Sequence, residues 1–358
     1  MADWKDRAQV HGDVVFFEYV AKELEREAQE VYVWDLDKTY LDTHLGSLSD
    51  LIKTAMEKAF QKRNVPGTRS LVQALMSARE RYQTNTPFPL YFITASPPQI
   101  EPRIYEKLLL DGIQPYGSFY KDNLRNLRPR RLWRLTQQIG YKLQALLQLR
   151  RGLSDSVRQV CWGDDSESDA VIYSLYSDIC ARRLGVKELR EVLKELRVNG
   201  EQTDTIIQLQ GQVPEQDPVE KIYINLAVDT DPEYYSKFGR RMLPTYNSVQ
   251  IALDLYQDGR LTTELVVKVI RDVVTNYGFT TDEVAWSLDD LIRRQVLGQQ
   301  SLESIAVVLK ENQLLAESFK PSIAPLPVAN QEEGRVYSLE GVREPWVPER
   351  VDYLHDYR

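Results

Sequence analysis

Short apolar segments alternate with longer segments of helical period along the first two-thirds of the chain. The apolar runs that favour β-strands are 31–34, 90–93, 157–162 and 221–228. Helical spacing of apolar residues predicts the helices 14–30, 48–60, 70–81, 101–110, 129–149, 168–183 and 187–197. Strands that alternate with helices predict a parallel sheet with helices on both faces. We therefore expect a doubly wound α/β fold.

The character of the chain changes after residue 229. Apolar residues recur there at helical spacing, and further amphipathic helices are predicted at 262–276 and 281–295. From residue 321 the chain is rich in Pro, Glu and Arg and has no sustained period. We predict an α/β domain at 1–230, an all-helical domain at 231–316 and an extended tail at 317–358.

Composition narrows the class of protein. The chain has 358 residues with 45 Lys plus Arg against 53 Asp plus Glu, so its net charge of −8 argues against a nucleic-acid partner. Two cysteines are too few for a disulfide framework, so buried thiols are expected. The three histidines are scattered along the chain, which argues against a zinc site. No apolar run could span a bilayer, and the N-terminal segment is charged. These features predict a cytoplasmic protein.

Polar residues follow the first two predicted strands directly. Asp35 and Asp37 are separated by one residue, so both carboxylates can enter one site, one as a nucleophile and one as a general acid. An acidic turn that merely ends a strand is the alternative. After the second strand, the Thr94 hydroxyl and the backbone N–H groups near Ala95 can donate to a phosphoryl oxygen. The alternative role for Thr94 is a helix cap.

An acidic cluster and a lysine complete the candidate site. Residues 163–169 (GDDSESD) follow the third strand, and their carboxylates suit Mg²⁺; a solvated acidic loop is the alternative. A lysine would neutralise charge on the phosphoryl group and the nucleophile. We choose Lys142 from its position in chain order, with Lys121 as the second choice.

The acidic pair, hydroxyl, lysine and acidic cluster, in this order, resemble the four motifs of the haloacid-dehalogenase (HAD) superfamily of phosphatases. Segments 65–67, 91–98 and 163–173 are also similar to the catalytic domain of the actin-patch phosphatidate phosphatases. The resemblance covers about residues 29–230. It implies a HAD-like Rossmannoid fold, and the short stretch between Asp37 and Val65 implies a minimal cap.

The resemblance also implies roles for single residues. It makes Asp35 the nucleophile, Asp37 the acid and base, and Lys142 the bridging cation, with Thr94 and Ala95 at the phosphate. The implied cofactor is Mg²⁺, and its implied ligands are Asp35, the backbone carbonyl of Asp37, and Asp164, with Asp169 in support. The chain departs from the family pattern at Lys38, where an acidic residue is usual, and at Asp165-Ser166, where Ser-Gly is usual.

A site with so small a cap favours a bulky phosphomonoester such as phosphatidate. A small soluble or protein phosphate is the alternative, and a non-catalytic binding protein is disfavoured because Asp35 and Asp37 are both present. A further hypothesis is that a basic run contacts a membrane surface. The alternative is that this run is only a solvated helix face. That run comprises Arg125, Arg128, Arg130, Arg131, Arg134, Arg150 and Arg151. The sequence predicts no oligomeric state.

Overall fold

The computed structural model describes residues 4–20, 28–42, 63–80, 88–122, 138–166, 168–227, 229–325 and 345–353. Within these residues, eight strands form one sheet in the order β1-β2-β5-β4-β3-β6-β7-β8. The strands are β1 Gln9–His11, β2 Val14–Glu18, β3 Glu30–Asp35, β4 Leu90–Ile93, β5 Gly117–Lys121, β6 Arg158–Asp164, β7 Val219–Asn225 and β8 Met242–Thr245.

The strand order reverses in the middle of the sheet. Strands β3 to β8 are paired in parallel, and only β1 and β2 join antiparallel at one edge. From β3 the chain adds β4 and β5 on one side, and then β6, β7 and β8 on the other. Ligands of open α/β sheets bind where such a reversal separates the carboxyl ends of two neighbouring strands. Here those neighbours are β3 and β6.

Helices cover both faces of the sheet. In the described residues the α-helices are α1 Thr68–Glu80, α2 Glu101–Leu110, α3 Ile139–Gly152, α4 Asp169–Cys180, α5 Val186–Glu195, α6 Gly200–Gln210, α7 Ser248–Gln257, α8 Thr263–Tyr277, α9 Thr281–Arg293 and α10 Gln299–Glu311. Helices α3 to α6 share one apolar cluster with the sheet, and α1, α2 and α7 to α10 share the other. The predicted α/β fold is confirmed.

The side chains of β3 show how the two faces are divided. Val31 and Val33 belong to one apolar cluster, and Tyr32 and Trp34 to the other, as the two-residue period of a strand requires. On the second face Trp34 stacks on Trp162 of β6, with ring centroids 4.7 Å apart. Such a pair adds about 0.5–1.5 kcal/mol beyond its buried area. It fixes β3 against β6 just below the point where both strands end.

Two predictions near the N-terminus are corrected. The helix predicted over 14–30 is wrong at Val14–Glu18, which forms β2 and pairs antiparallel with β5. Its first four residues are β-branched or aromatic, and this local preference prevails over the helical charge pattern that follows. Strand β5 was missed because its sequence, GSFYK, contains only two large apolar residues. The predicted helix 48–60 lies outside the described residues, as does the start of the helix predicted over 129–149.

The prediction that residues 231–316 are all helical is wrong at Met242–Thr245. These four residues form β8, a parallel edge strand next to β7. A four-residue strand that contains Pro244 carries little local signal, and proline is tolerated because the strand lies at the sheet edge. The helices of this segment pack on the same sheet as α1 and α2. The domain boundary at residue 230 stays a prediction.

An ion pair ties the C-terminal segment to the start of β3. The Arg260 guanidinium lies 2.8 Å from Glu30 Oε1 and donates its Nε–H to Glu30 Oε2 at 3.2 Å. Burial alone would raise the pKa of Glu30, but the hydrogen bonds and charge of Arg260 lower it. A lowered pKa contributes stability above the unfolded pKa, and this contribution is lost as the pH falls through the folded pKa.

We therefore expect Glu30→Gln to lower the melting temperature at neutral pH, and we expect this difference to shrink below a pH of about 4. Thermal unfolding followed by circular dichroism across this range measures it. Glu220→Gln is the control, because Glu220 forms a 3.5 Å pair with the exposed Arg158. An equal loss in both variants at every pH would show that the Glu30 pair contributes no pH-dependent stability.

Candidate active site

Three polar segments meet at the carboxyl edge of the sheet. Asp35 is the last residue of β3, Asp164 is the last residue of β6, and Thr94 follows β4 directly. The three side chains are almost completely buried, with exposed fractions of 1%, 2% and 0%. The structure thus brings together the segments that the sequence places at strand ends, at the point where the strand order reverses.

Lys142 of α3 lies between two carboxylates of this cluster. Its Nζ is 2.7 Å from Asp35 Oδ1 and 2.6 Å from Asp169 Oδ1. All three side chains are buried, so the charges attract strongly in a medium of low dielectric constant. Lys121, the second choice, ends β5, which is separated from β3 by β4. Lys142 is therefore a buried lysine in direct contact with Asp35.

Asp35, Asp164 and Asp169 form a group that could hold a metal ion. Each offers one carboxylate oxygen, and these oxygens lie within 4.8 Å of one another. Carboxylate oxygens are the ligands that Mg²⁺ prefers, so the donor set fits the predicted ion. The Asp37 side chain is outside this group, which is compatible with its predicted contribution through the backbone carbonyl.

Two hydroxyl groups hold the side chain of Asp37. Thr94 Oγ1 donates to Asp37 Oδ2 at 2.6 Å, and Ser96 Oγ lies 3.4 Å from the same oxygen. The Ser96 backbone N–H donates to Thr94 Oγ1 at 3.0 Å. A threonine hydroxyl has one hydrogen to donate, and here Asp37 receives it. Thr94 therefore orients Asp37 in this structure, and its binding to a phosphate stays a prediction.

A glycine allows the acidic cluster to close. A Cβ on Gly163 would lie 2.4 Å from Cβ of Asp169, so any other residue would push Asp169 away. Asp169 begins α4, and its Oδ2 accepts the backbone N–H of Asp164 at 3.3 Å. The Ser166 N–H donates to Asp164 Oδ1 at 2.6 Å. Backbone donors thus orient both carboxylates, while Glu167 lies outside the described residues.

The second acidic residue of the cluster turns away from the site. Asp165 Oδ2 accepts the backbone N–H of Ala227 at 2.8 Å and the hydroxyl of Thr230. Both donors belong to the chain that follows β7. Asp165 therefore holds a neighbouring loop, whereas Asp164 belongs to the three carboxylates that could hold a metal ion.

Sequence reasoning missed several residues around the cluster. Ser96 is one, and Thr39 is another, with its Oγ1 3.4 Å from Asp35 Oδ2. Lys38 Nζ donates to Ser166 Oγ at 3.0 Å, and Asn225 Nδ2 donates to the Lys38 carbonyl at 3.4 Å. The available signal for Thr39 was a hydroxyl four residues after the strand-end Asp35, and for Ser96 it was a hydroxyl two residues after Thr94. No local pattern marks Asn225.

Both cysteines are buried free thiols, as the sequence predicts. Burial raises the pKa of the Cys161 thiol well above its ordinary value, and it raises the pKa of Cys180 to about 12. A buried thiol that stays protonated is a poor nucleophile. Neither cysteine is therefore a candidate for a nucleophilic group.

The structure divides the predicted basic run. Residues 125–134 lie outside the described residues. Arg150 is fully buried and donates to the backbone carbonyls of Ser154 and Asp155, both at 2.8 Å. Its prediction as a membrane-contacting residue is wrong, because its guanidinium closes the turn after α3. Within the described residues, no helix is long and apolar enough to cross a membrane.

Comparison with known proteins gives one matching family model. Residues 31–190 match the family model described as the catalytic domain of phosphatidate phosphatase APP1. The match runs from β3 into α5 and contains all the acidic residues, hydroxyls and the lysine of the cluster. No curated protein and no solved structure matches the chain. Over residues 31–190 the chain is therefore similar to the catalytic domain of phosphatidate phosphatase APP1, and it is a phosphatase, a phosphoric monoester hydrolase.

Proposed function

We propose that the chain hydrolyses a phosphomonoester carried by a bulky group, phosphatidate in the first place, through an aspartyl-phosphate formed on Asp35. The observation that carries this proposal is the position of Lys142, whose Nζ lies between Asp35 and Asp169. An ammonium 2.7 Å from Asp35 Oδ1 favours the charged form of that carboxylate, which is the form that can attack phosphorus.

In the first step, Asp35 attacks phosphorus and forms an O–P bond while the bond to the leaving oxygen breaks. The leaving oxygen takes a proton from Asp37, which Thr94 and Ser96 hold in place. In the second step, Asp37 removes a proton from water as the water attacks phosphorus. Inorganic phosphate leaves, and the Asp35 carboxylate is restored.

The same proposal includes Mg²⁺ and a HAD-like arrangement of the site. Asp35 and Asp164 would hold the ion together with the Asp37 carbonyl, and Asp169 would support them while it pairs with Lys142. When bound, Mg²⁺ neutralises charge on the phosphoryl oxygens. The proposed minimal cap falls mainly on residues 43–62, outside the described residues.

A substrate panel tests the proposal. The full chain should release inorganic phosphate from phosphatidate vesicles and short-chain phosphatidate in the presence of Mg²⁺. EDTA should stop the release, and excess Mg²⁺ should restore it. Glycerol 3-phosphate, p-nitrophenyl phosphate and a phosphopeptide are the comparison substrates. Activity that persists in EDTA would contradict the proposed metal dependence. A kcat/KM that is higher on the phosphopeptide than on phosphatidate would contradict the proposed lipid substrate.

A further inference from the structure

Lys38 stands at the junction of the two acidic loops of the site. It follows Asp37 directly, and its Nζ donates to Ser166 Oγ at 3.0 Å. Ser166 in turn donates its backbone N–H to Asp164 at 2.6 Å. Lys38 is partly exposed, whereas Asp37 and Asp164 are buried. Its ammonium group therefore lies at the solvent side of the acidic cluster.

The backbone of Lys38 is fixed in an unusual conformation. Its φ is 57°, in the left-handed region that residues other than Gly, Asn and Asp rarely adopt. The Lys38 N–H donates to the Leu41 carbonyl at 2.8 Å, and the Lys38 carbonyl accepts from Asn225. Such strain is kept mainly where the surrounding structure enforces it, and functional sites are the usual place. The backbone thus directs the side chain towards the loop of Ser166.

The charges of the site favour a further cation near the substrate. Asp35, Asp37, Asp164 and Asp169 are all buried, and the ammonium of Lys142 pairs with two of them, Asp35 and Asp169. A phosphomonoester dianion that enters brings two further negative charges, and Mg²⁺ offsets only part of this excess. A lysine offers three N–H donors, whereas Ser166 is the one side-chain acceptor that Lys38 contacts among the described residues. A neutral hydroxyl is a weaker partner for an ammonium than a phosphoryl oxygen is.

We propose that Lys38 is a substrate-binding residue whose ammonium leaves Ser166 for an anionic oxygen of the substrate phosphate. This inference rests on the proposed function of the same site. It makes Lys38 a specificity determinant that favours phosphate dianions. The chain places this positive charge where the family that it resembles usually has an acidic residue, so the preference belongs to this chain.

The alternative is that Lys38 only ties the two loops together through Ser166. A series at position 38 separates the two roles. Lys38→Arg keeps the charge, Lys38→Asn removes it, and Lys38→Asp reverses it; Asn and Asp both tolerate a positive φ. Ser166→Ala removes the tie and keeps the ammonium. Lys187→Asn is the control for loss of one charge, because Lys187 is exposed on α5.

Kinetics on a soluble phosphomonoester with Mg²⁺ measure the effect. We expect Lys38→Asn to raise KM by about tenfold, the usual effect of losing one hydrogen bond to a charged group, while kcat changes by less than about threefold. Lys38→Asp should raise KM further, and Lys38→Arg should stay within about threefold of wild type. Ser166→Ala should not raise KM. Equal increases in Lys38→Asn and Ser166→Ala, or an unchanged KM in Lys38→Asn, would overturn the inference.

Binding of the product keeps this test independent of turnover. Calorimetric titration with inorganic phosphate in the presence of Mg²⁺ should give a Kd that is about tenfold weaker for Lys38→Asn than for wild type. If the wild-type chain hydrolysed none of the substrates, the proposed function would fail, and this titration would still decide the role of Lys38. Equal phosphate affinity in the two folded proteins would overturn it. Circular dichroism confirms that each variant is folded.

Discussion

Replacing Asp35 with asparagine should lower kcat by roughly 10³-fold or more and leave the fold intact. The amide has nearly the volume of the carboxylate, so it can fill the same buried position at the end of β3. It is not nucleophilic enough to attack phosphorus. Single-turnover and steady-state phosphate release measure the loss, and thermal unfolding reports whether the fold is kept.

Asp204→Asn is the matched control for this substitution. Asp204 is exposed on α6, where it pairs with Arg190 at 2.9 Å. Its replacement should leave kcat and KM as they are in wild type. A near-normal rate in Asp35→Asn would exclude Asp35 as the nucleophile. Equal losses in both variants would indicate damage to the fold in place of lost chemistry.

The two neighbouring acids of the cluster should differ sharply when each is replaced by asparagine. Asp164→Asn should raise the Mg²⁺ concentration for half-maximal activity by about tenfold or more, because one of the three carboxylates that could hold the ion is lost. An amide oxygen can still accept the Ser166 N–H, so the loop should keep its shape. Activity measured against Mg²⁺ concentration gives the shift.

Asp165→Asn is the comparison for that measurement. Its side chain accepts from Ala227 and Thr230, and an asparagine oxygen can keep these contacts. The Mg²⁺ dependence should therefore change far less than in Asp164→Asn. Equal shifts would mean that the metal site extends to Asp165, and a larger shift in Asp165→Asn would reverse the assignment of the two residues.

The part of the site carried by strand ends was predictable from the sequence. Asp35, Thr94 and Asp164 each follow an apolar run, and parallel pairing brings the carboxyl ends of such runs to one edge of the sheet. The bounds of β4 and α2 also agree with the predicted ranges. Their apolar spacing is strong enough to specify the element without knowledge of its neighbours.

Local pattern alone could not identify the residues whose role depends on distant contacts. Chain order singles out Lys142 among many lysines, but its contact with Asp35 exists only because α3 packs beside β3 and β6. Arg150 looked like part of a basic surface, yet its position after folding makes it a buried donor to backbone carbonyls. Both side chains are long and charged, and their surroundings decide whether such groups are solvated or buried.

The short strands follow the same rule. Strand β8 has four residues and exists through its pairing with β7, a contact between chain segments about twenty residues apart. The hydrogen bonds from Thr94 and Ser96 to Asp37 likewise join residues that are far apart, with sequence separations of 57 and 59. Periodicity along the chain therefore determined the main strands and the acids at their ends. Tertiary packing decided which cation, hydroxyls and edge strand complete the site, because those contacts join residues that are far apart in sequence.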